Sequence, residues 1–278
     1  MKLNCPICNE HLNESLSCIN EHQFQIEEGV IKLMTPEFVE MLDSWLISFE
    51  DFRKPHLQEL DFNHLPSSGL KVNSHLWKAR EQDLSIISSF IASSDQKALD
   101  IGSWNGWLAN HLTQKGLAVT AIDYFTHELD GLKAKKFYQH PHWNSIQMDL
   151  EDLSILNEPY DLIVINRCLA YFTNIEQLID TAIHMLTPGG KLMVTGINVV
   201  DKKNGEAEEL KKAKIDFKKR YDQEVFFKPT KGYLDQHDLE VLESKKIQLI
   251  LYPNFKNFIK KKWLGKNDVT YYGVYKNE

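Results

Sequence analysis

No apolar run in these 278 residues approaches the roughly 18 needed to cross a bilayer. The opening residues, Met1-Lys-Leu-Asn-Cys5, lack the apolar core of a secretory signal, which sets the expectation of a cytoplasmic protein. Cysteine is scarce, four in all, and three of them (Cys5, Cys8 and Cys18) crowd into the first 18 residues. Without a secretory signal, that crowding reads as a metal site rather than a disulfide framework. Cys168 stands apart and is expected to be a buried apolar residue rather than a nucleophile. Basic excess is missing where a nucleic-acid partner would need it. Residues 1–40 hold two lysines against seven acids, and residues 97–200 hold seven bases against eleven acids. Only residues 201–278 are basic, with eighteen bases against thirteen acids. No internal repeat or low-complexity segment is present.

What remains is ordinary globular composition, 42% hydrophobic and 26% charged, enough for one large domain plus an appendage. Leu84, Ile87, Phe90 and Ile91 recur at helical spacing and predict a helix, while Pro66-Ser-Ser-Gly69 reads as a turn or exposed loop. From residue 97 strand and helix alternate. Strands are expected near 97–102, 118–123, 145–148, 161–166 and 191–196. A helix between the first two is expected to end at Gly116. Thr173-Asn-Ile-Glu176 reads as a capping box opening a helix to about Leu186. A charged helix over 206–220, a further helix at Leu239 and Leu242, and strands over 247–251 and 269–274 complete the pattern. The run Asn254–Leu264, mixing lysines with aromatics, reads as an amphipathic cover helix rather than a membrane or RNA contact.

Lys97-Ala-Leu-Asp-Ile-Gly-Ser-Trp-Asn-Gly106 carries the most information. An apolar strand ends in an acid and two glycines, then turns into a helix whose first N–H groups face a ligand. A dinucleotide fingerprint G-x-G-x-x-G, counted from Gly102, fails twice, at Trp104 and Trp107. The pattern D-x-G-x-G-x-G fits Asp100, Gly102 and Gly106 and fails once, at Trp104. The next strand ends in Asp123, where an acid reaches ribose hydroxyls in such sheets.

The segment resembles motif I of class I S-adenosylmethionine-dependent methyltransferases. The resemblance extends over about residues 75–200, through Asp123, Met148-Asp-Leu150, Tyr160–Arg167 and Leu186-Thr-Pro-Gly-Gly190. It implies a Rossmann-like, doubly wound, mostly parallel α/β sheet of seven strands. It also implies S-adenosyl-L-methionine as cofactor. The Asp100–Gly106 loop, with Ser103 and Trp104, would lie against its methionine part. Asp123, followed by Tyr124, would take the ribose; Asp149 and Leu150 the adenine; and Asn166 would stand at the crevice. Trp104 is the departure from the family pattern, because tryptophan does not take positive φ cheaply.

Cys5-Pro-Ile-Cys8 and Cys18-Ile-Asn-Glu-His22 provide two short ligand pairs, which suit a tetrahedral, structural Zn²⁺ with no open position. Leu3–Met34 is similar to zinc-ribbon modules ahead of some methyltransferase domains, and the C-x₃-H pair is similar to the ribbon of 23S rRNA guanine-N1 methyltransferases. The implied organisation is a zinc ribbon over 1–36, a helical linker or lid over 37–95 and the methyltransferase domain over 96–278. Trp77–Arg80, Asp130–Leu132 with Tyr138, and Asn166–Tyr171 resemble a bacterial group of zinc-ribbon methyltransferases. Substrate-side candidates are Arg80, Tyr124, Arg167 and Tyr171, with His184 expected to be structural. The acidic first two-thirds favours a small-molecule acceptor over rRNA or tRNA. A methyltransferase fold kept as a non-catalytic binding protein is the further alternative.

Overall fold

Each central strand divides its side chains between two cores. The computed structural model describes residues 1–57, 59–200, 207–254, 257, 259 and 269–278. Its strands are β1 (Gln25–Glu27), β2 (Val30–Leu33), β3 (Lys97–Ile101), β4 (Ala118–Asp123), β5 (Asn144–Met148), β6 (Tyr160–Asn166), β7 (Leu186–Asn198), β8 (Gln248–Leu251) and β9 (Thr270–Lys276). Leu99, Ile101, Ile163 and Ile165 enter one core with Leu178, Ile179, Leu239 and Leu242. Ala98, Leu162 and Val164 enter the other with Trp77, Ile87, Leu108 and Leu112. The period of two along each strand makes this division, and burial on both faces explains the near-continuous apolar runs.

The helices are α1 (Pro36–Arg53), α2 (Ser74–Phe90), α3 (Trp107–Gln114), α4 (Ile175–His184), α5 (Glu208–Tyr221) and α6 (Gln236–Ser244). Helices α2 and α3 therefore cover one face of the sheet, and α4 and α6 the other. The strand order is β1-β2-β5-β4-β3-β6-β7-β9-β8. Pairing is parallel from β2 to β7, and antiparallel where β1 meets β2 and β9 meets β7 and β8. The seven strands expected from the sequence are β3 to β9. Two more, from the N-terminal segment, extend the sheet beside β5, with Val30 to Leu33 in register with Ser145 to Met148. The cysteine-rich segment is thus built into the sheet, and Leu3, Leu12 and Cys18 share the core of Leu153, Ile155 and Leu156.

Several local expectations change. The cap of α4 is Asn174, whose side chain accepts from the Gln177 N–H at 3.0 Å, while Thr173 turns away to bond Glu151. That helix ends at His184, and Leu186 already belongs to β7. Pro66–Gly69 is a turn leading into a short 3₁₀ helix, with Ser67 exposed. Gly69 is buried, and a Cβ there would run into the Trp77 indole, which is why glycine occupies it. Gly116, at φ +93, closes α3 as expected. Residues 201–206 and most of the Asn254–Leu264 run lie outside the described residues. Among the described residues, no helix is long and apolar enough to cross a membrane.

Candidate active site and metal centre

Chain order reverses between β3 and β6, because β3 leads to β4 on one side and β6 pairs on the other. A crevice opens at the carboxyl ends of strands at such a point. Gly102 leaves β3 at φ +69, and a Cβ on it would come within 2.7 Å of the Cys168 sulfur. The Cys168 thiol donates to the Ile101 carbonyl at 3.2 Å, and burial pushes it well above the ordinary thiol range. It is half-buried and lines the cavity, rather than fully buried as expected. Gly106, at φ +79, caps α3, and Tyr138 braces the loop by donating to the Asn105 carbonyl at 3.1 Å.

Trp104 sits at φ +53, in the region that favours glycine. Its backbone N–H donates to Asp123 Oδ2 at 2.9 Å and its indole N–H to Asp130 Oδ1 at 2.6 Å. Its ring stacks on Trp77 with centroids 5.6 Å apart. These contacts offset the backbone cost and turn the indole away from Asp123. Asp123 Oδ1 accepts from the Phe125 N–H at 3.0 Å. Burial still pushes its carboxyl up to about 6, against the backbone N–H bonds that hold it down. Asp100 lies deeper. Neither of its oxygens has a hydrogen-bond partner, and burial, then the Asp123 charge, pushes its carboxyl up to about 8. Ser103 Oγ and Asn105 Nδ2 are likewise buried and unpartnered.

A cavity of about 710 Å³ joins these groups. Gly102, Trp104, Asp123, Asp149, Leu150 and Asn166 line one part of it. Arg80, Tyr124, Arg167 and Tyr171 line it too, whereas Asp100, Ser103 and Gly106 do not. His184, hydrogen-bonded to the Asp180 carbonyl at the end of α4, is not part of it. Asp149 is bound to Lys228, 2.8 Å from Oδ2, and its Oδ1 accepts from the Glu151 N–H. Asn166 and Arg167 are both engaged with Asp83, a fully buried carboxylate of α2. Asn166 donates to Asp83 Oδ2 at 3.1 Å; Arg167 donates to Oδ2 at 2.5 Å and to Oδ1 at 3.1 Å. The Tyr252 hydroxyl donates to Oδ1 as well. These two residues thus form the wall through a buried ionic network, and removing one partner of such a pair costs about 3–5 kcal/mol.

The sequence reading expected a helical linker or lid over 37–95 but named no residue of α1 as part of the site. Trp45 and Phe49, one turn apart, stack 4.3 Å from each other and line the cavity beside Tyr124. Their i, i+4 spacing was the available signal. Arg53 reaches Asp130 at 2.5 Å, a pairing across 77 residues that no local pattern announces.

The N-terminal cluster is separate. Cys5 Sγ lies 3.5 Å and Cys18 Sγ 3.4 Å from His22 Nδ1, and Cys8 Sγ is 3.7 Å from Cys18 Sγ. All four ligand atoms lie within 4.8 Å of one another. Metal–ligand distances for zinc imply tetrahedral edges of about 3.8 Å between sulfurs and about 3.6 Å between sulfur and nitrogen. The donor set and its spacing fit that ion.

Residues 99–194 match the family model described as a methyltransferase domain. The stretch from β3 into β7 thus matches a methyltransferase domain. The chain's sequence is similar to ubiquinone biosynthesis O-methyltransferases of Xylella fastidiosa (strain M23), 33% identical over 121 residues, and of Rickettsia bellii (strain OSU 85-389), 26% identical over 105 residues. These stretches cover 41% and 38% of this chain. The chain spans about half the length of the curated relatives it matches, 47% and 43%. A solved structure of a geranyl diphosphate methyltransferase in complex with GPP and sinefungin shares the fold. Its TM-score is 0.51 over 88% of this chain and 99% of that one, at 9% identity. The matched stretch runs from within β3 into β7 and includes α3 and α4, and its glycine loop opens into the cavity.

Proposed function

We propose that the chain transfers a methyl group from S-adenosyl-L-methionine to a small-molecule acceptor inside this cavity. One observation carries the reading: one half-open cavity joins Gly102, Asp123 and Asp149 to apolar walls at Trp45, Phe49, Leu57 and Leu60. Cofactor sites have this form, mostly apolar with a few placed polar groups. The residues fit the cofactor. Asp123 keeps lone pairs for ribose hydroxyls beyond the two N–H bonds it accepts, and Asp149 keeps one side for an adenine amino group. The unpartnered Asp100, Ser103 and Asn105 groups lie beneath the loop that the family sets against the cofactor's amino-acid part. When bound, the cofactor supplies an electrophilic methyl group on a sulfonium. The chain's own part is to hold the acceptor in line and exclude water, and alignment alone can supply much of the rate. The ubiquinone biosynthesis relatives support an acceptor of low mass. The Cys5, Cys8, Cys18 and His22 cluster supports a structural zinc that ties the N-terminal segment to the sheet.

Incubating the purified chain with methyl-labelled S-adenosylmethionine and fractionated cell extract tests the reading. Label is expected in the low-mass fraction and absent from the RNA fraction. Label confined to RNA would replace the small-molecule acceptor with a nucleic-acid one.

A further inference from the structure

Among the described residues, four lysines and arginines line the cavity, and three are matched. Arg53 pairs with Asp130, Arg167 with Asp83 and Lys228 with Asp149. Arg80 pairs with no carboxylate among the described residues. Its Nη1 makes one long bond, 3.4 Å, to the Leu76 carbonyl, and its Nε is buried with no partner. We propose that Arg80 binds an anionic group of the acceptor, a carboxylate or a phosphate, so that the substrate class is a small, largely apolar acid. This rests on reading the cavity as a methyl-transfer site.

The geometry favours an oxyanion that presents two oxygens side by side. The guanidinium carbon lies 4.7 Å from the centroid of the Trp104 ring and 5.3 Å from that of Trp77. The two indoles, stacked on each other, carry the cation on aromatic surface. Cation–π attraction acts on the face of a guanidinium and leaves its edge donors free. Those donors match the two oxygens of a carboxylate or phosphate, which a lysine would meet only as a point charge. Leu57, Leu60 and Leu76 line the same cavity and suit an apolar body.

Among the described residues, the two acids whose charges act on Arg80, Asp83 and Asp130, are already engaged. Asp83 already accepts from Arg167, Asn166 and Tyr252. Asp130 already accepts from Arg53 and the Trp104 indole. Burial, then the positive charge of Arg167, lowers Arg80 to about 10, so it remains charged at neutral pH. A buried cation left unpaired is costly, and a substrate anion would remove that cost where a neutral isostere would not. The discrimination thus comes from the empty chain as much as from the bound one.

Binding of 3-phenylpropionate, phenyl phosphate and the neutral 3-phenylpropionamide to the full chain tests the proposal. Calorimetry would be run with and without S-adenosylhomocysteine. The anions are expected to bind at least about tenfold tighter than the amide, a difference of about 1.4 kcal/mol. Arg80→Gln is expected to bring that ratio near one, and Arg80→Lys to restore part of it, with S-adenosylhomocysteine affinity the same in all three proteins. Whichever anion binds tighter identifies the group. Equal binding of acid and amide, a preference that survives Arg80→Gln, or no binding of either anion at millimolar concentration would overturn the proposal. Loss of S-adenosylhomocysteine binding in the wild-type chain would instead sink the methyl-transfer reading, and the acid-to-amide ratio measured alone would still decide the role of Arg80.

Discussion

Trp104 holds Asp123 through its backbone and not through its ring. The N–H donates to Oδ2 at 2.9 Å, and the indole points to Asp130. That arrangement explains how a tryptophan occupies a position where the family pattern has glycine. The left-handed backbone costs about 1–2 kcal/mol for a residue with a Cβ. The indole hydrogen bond and the stack on Trp77 offset it.

Trp104→Gly separates the two contributions. The substitution relieves the backbone cost but removes a large, half-buried ring, and truncating such a ring in a core costs about 3–5 kcal/mol. The expected result is a net loss of about 2 kcal/mol in urea unfolding, with S-adenosylhomocysteine affinity nearly unchanged because the N–H to Asp123 remains. A more stable variant would show that the indole is not an anchor.

Zinc should stabilise the whole chain, not only its first residues. Leu3, Cys5, Leu12 and Cys18 pack in the same core as Ile146, Met148 and Leu156, and β2 is hydrogen-bonded along β5. At zinc a hundredfold above its dissociation constant, stripping the metal removes about 2.7 kcal/mol. That is a fall of roughly 5–11 °C in Tm for a chain of this size. Thermal scans with and without a chelator, and of Cys5→Ser and Cys18→Ser, should each show one transition at lower temperature. Two separated transitions would mean that the ribbon folds apart from the sheet.

Acid should stabilise the cofactor-free chain before it denatures it. Asp100 and Asp123 are raised from 3.8 to about 8 and about 6 by burial. Between the ordinary value and the raised one, the folded state holds a proton that the unfolded chain lacks. Stability therefore falls as pH rises through that window and levels above about 8. Between pH 6 and 8 Asp100 dominates, so Asp100→Asn should flatten the slope of urea stability there. An unchanged slope would contradict the burial of an unpartnered carboxyl at that position.

The alternating strands and the glycine loop were legible in the sequence because burial on two faces leaves a continuous apolar run, and a sharp strand-to-helix turn needs glycine. The Cys5, Cys8, Cys18 and His22 cluster was legible because its spacing is local, Asp123 because it ends a strand, and Asp149 only through the family resemblance; both acids line the cavity. The insertion of β2 beside β5 was not, because Val30–Leu33 reads only as the end of a small module. The use of Asn166 and Arg167 was also hidden. Their position at the end of β6 points into the crevice, but their partner Asp83 lies 84 residues from Arg167, on a helix whose register depends on packing. Arg80 shows the converse. A substrate-side candidate in the sequence, it is left without a carboxylate partner among the described residues because Asp83 and Asp130 are engaged elsewhere.

Calorimetric titration of the wild-type chain and of Asp123→Asn with S-adenosylhomocysteine tests the central claim most directly. Hydrogen bonds to a charged acceptor contribute about 1.5–3 kcal/mol, so the amide should weaken binding about tenfold to a hundredfold while the fold is retained. Saturable one-to-one binding to the wild type with that loss in the variant is the predicted result. No binding to the wild type at millimolar concentration, or equal binding by both proteins, would contradict it.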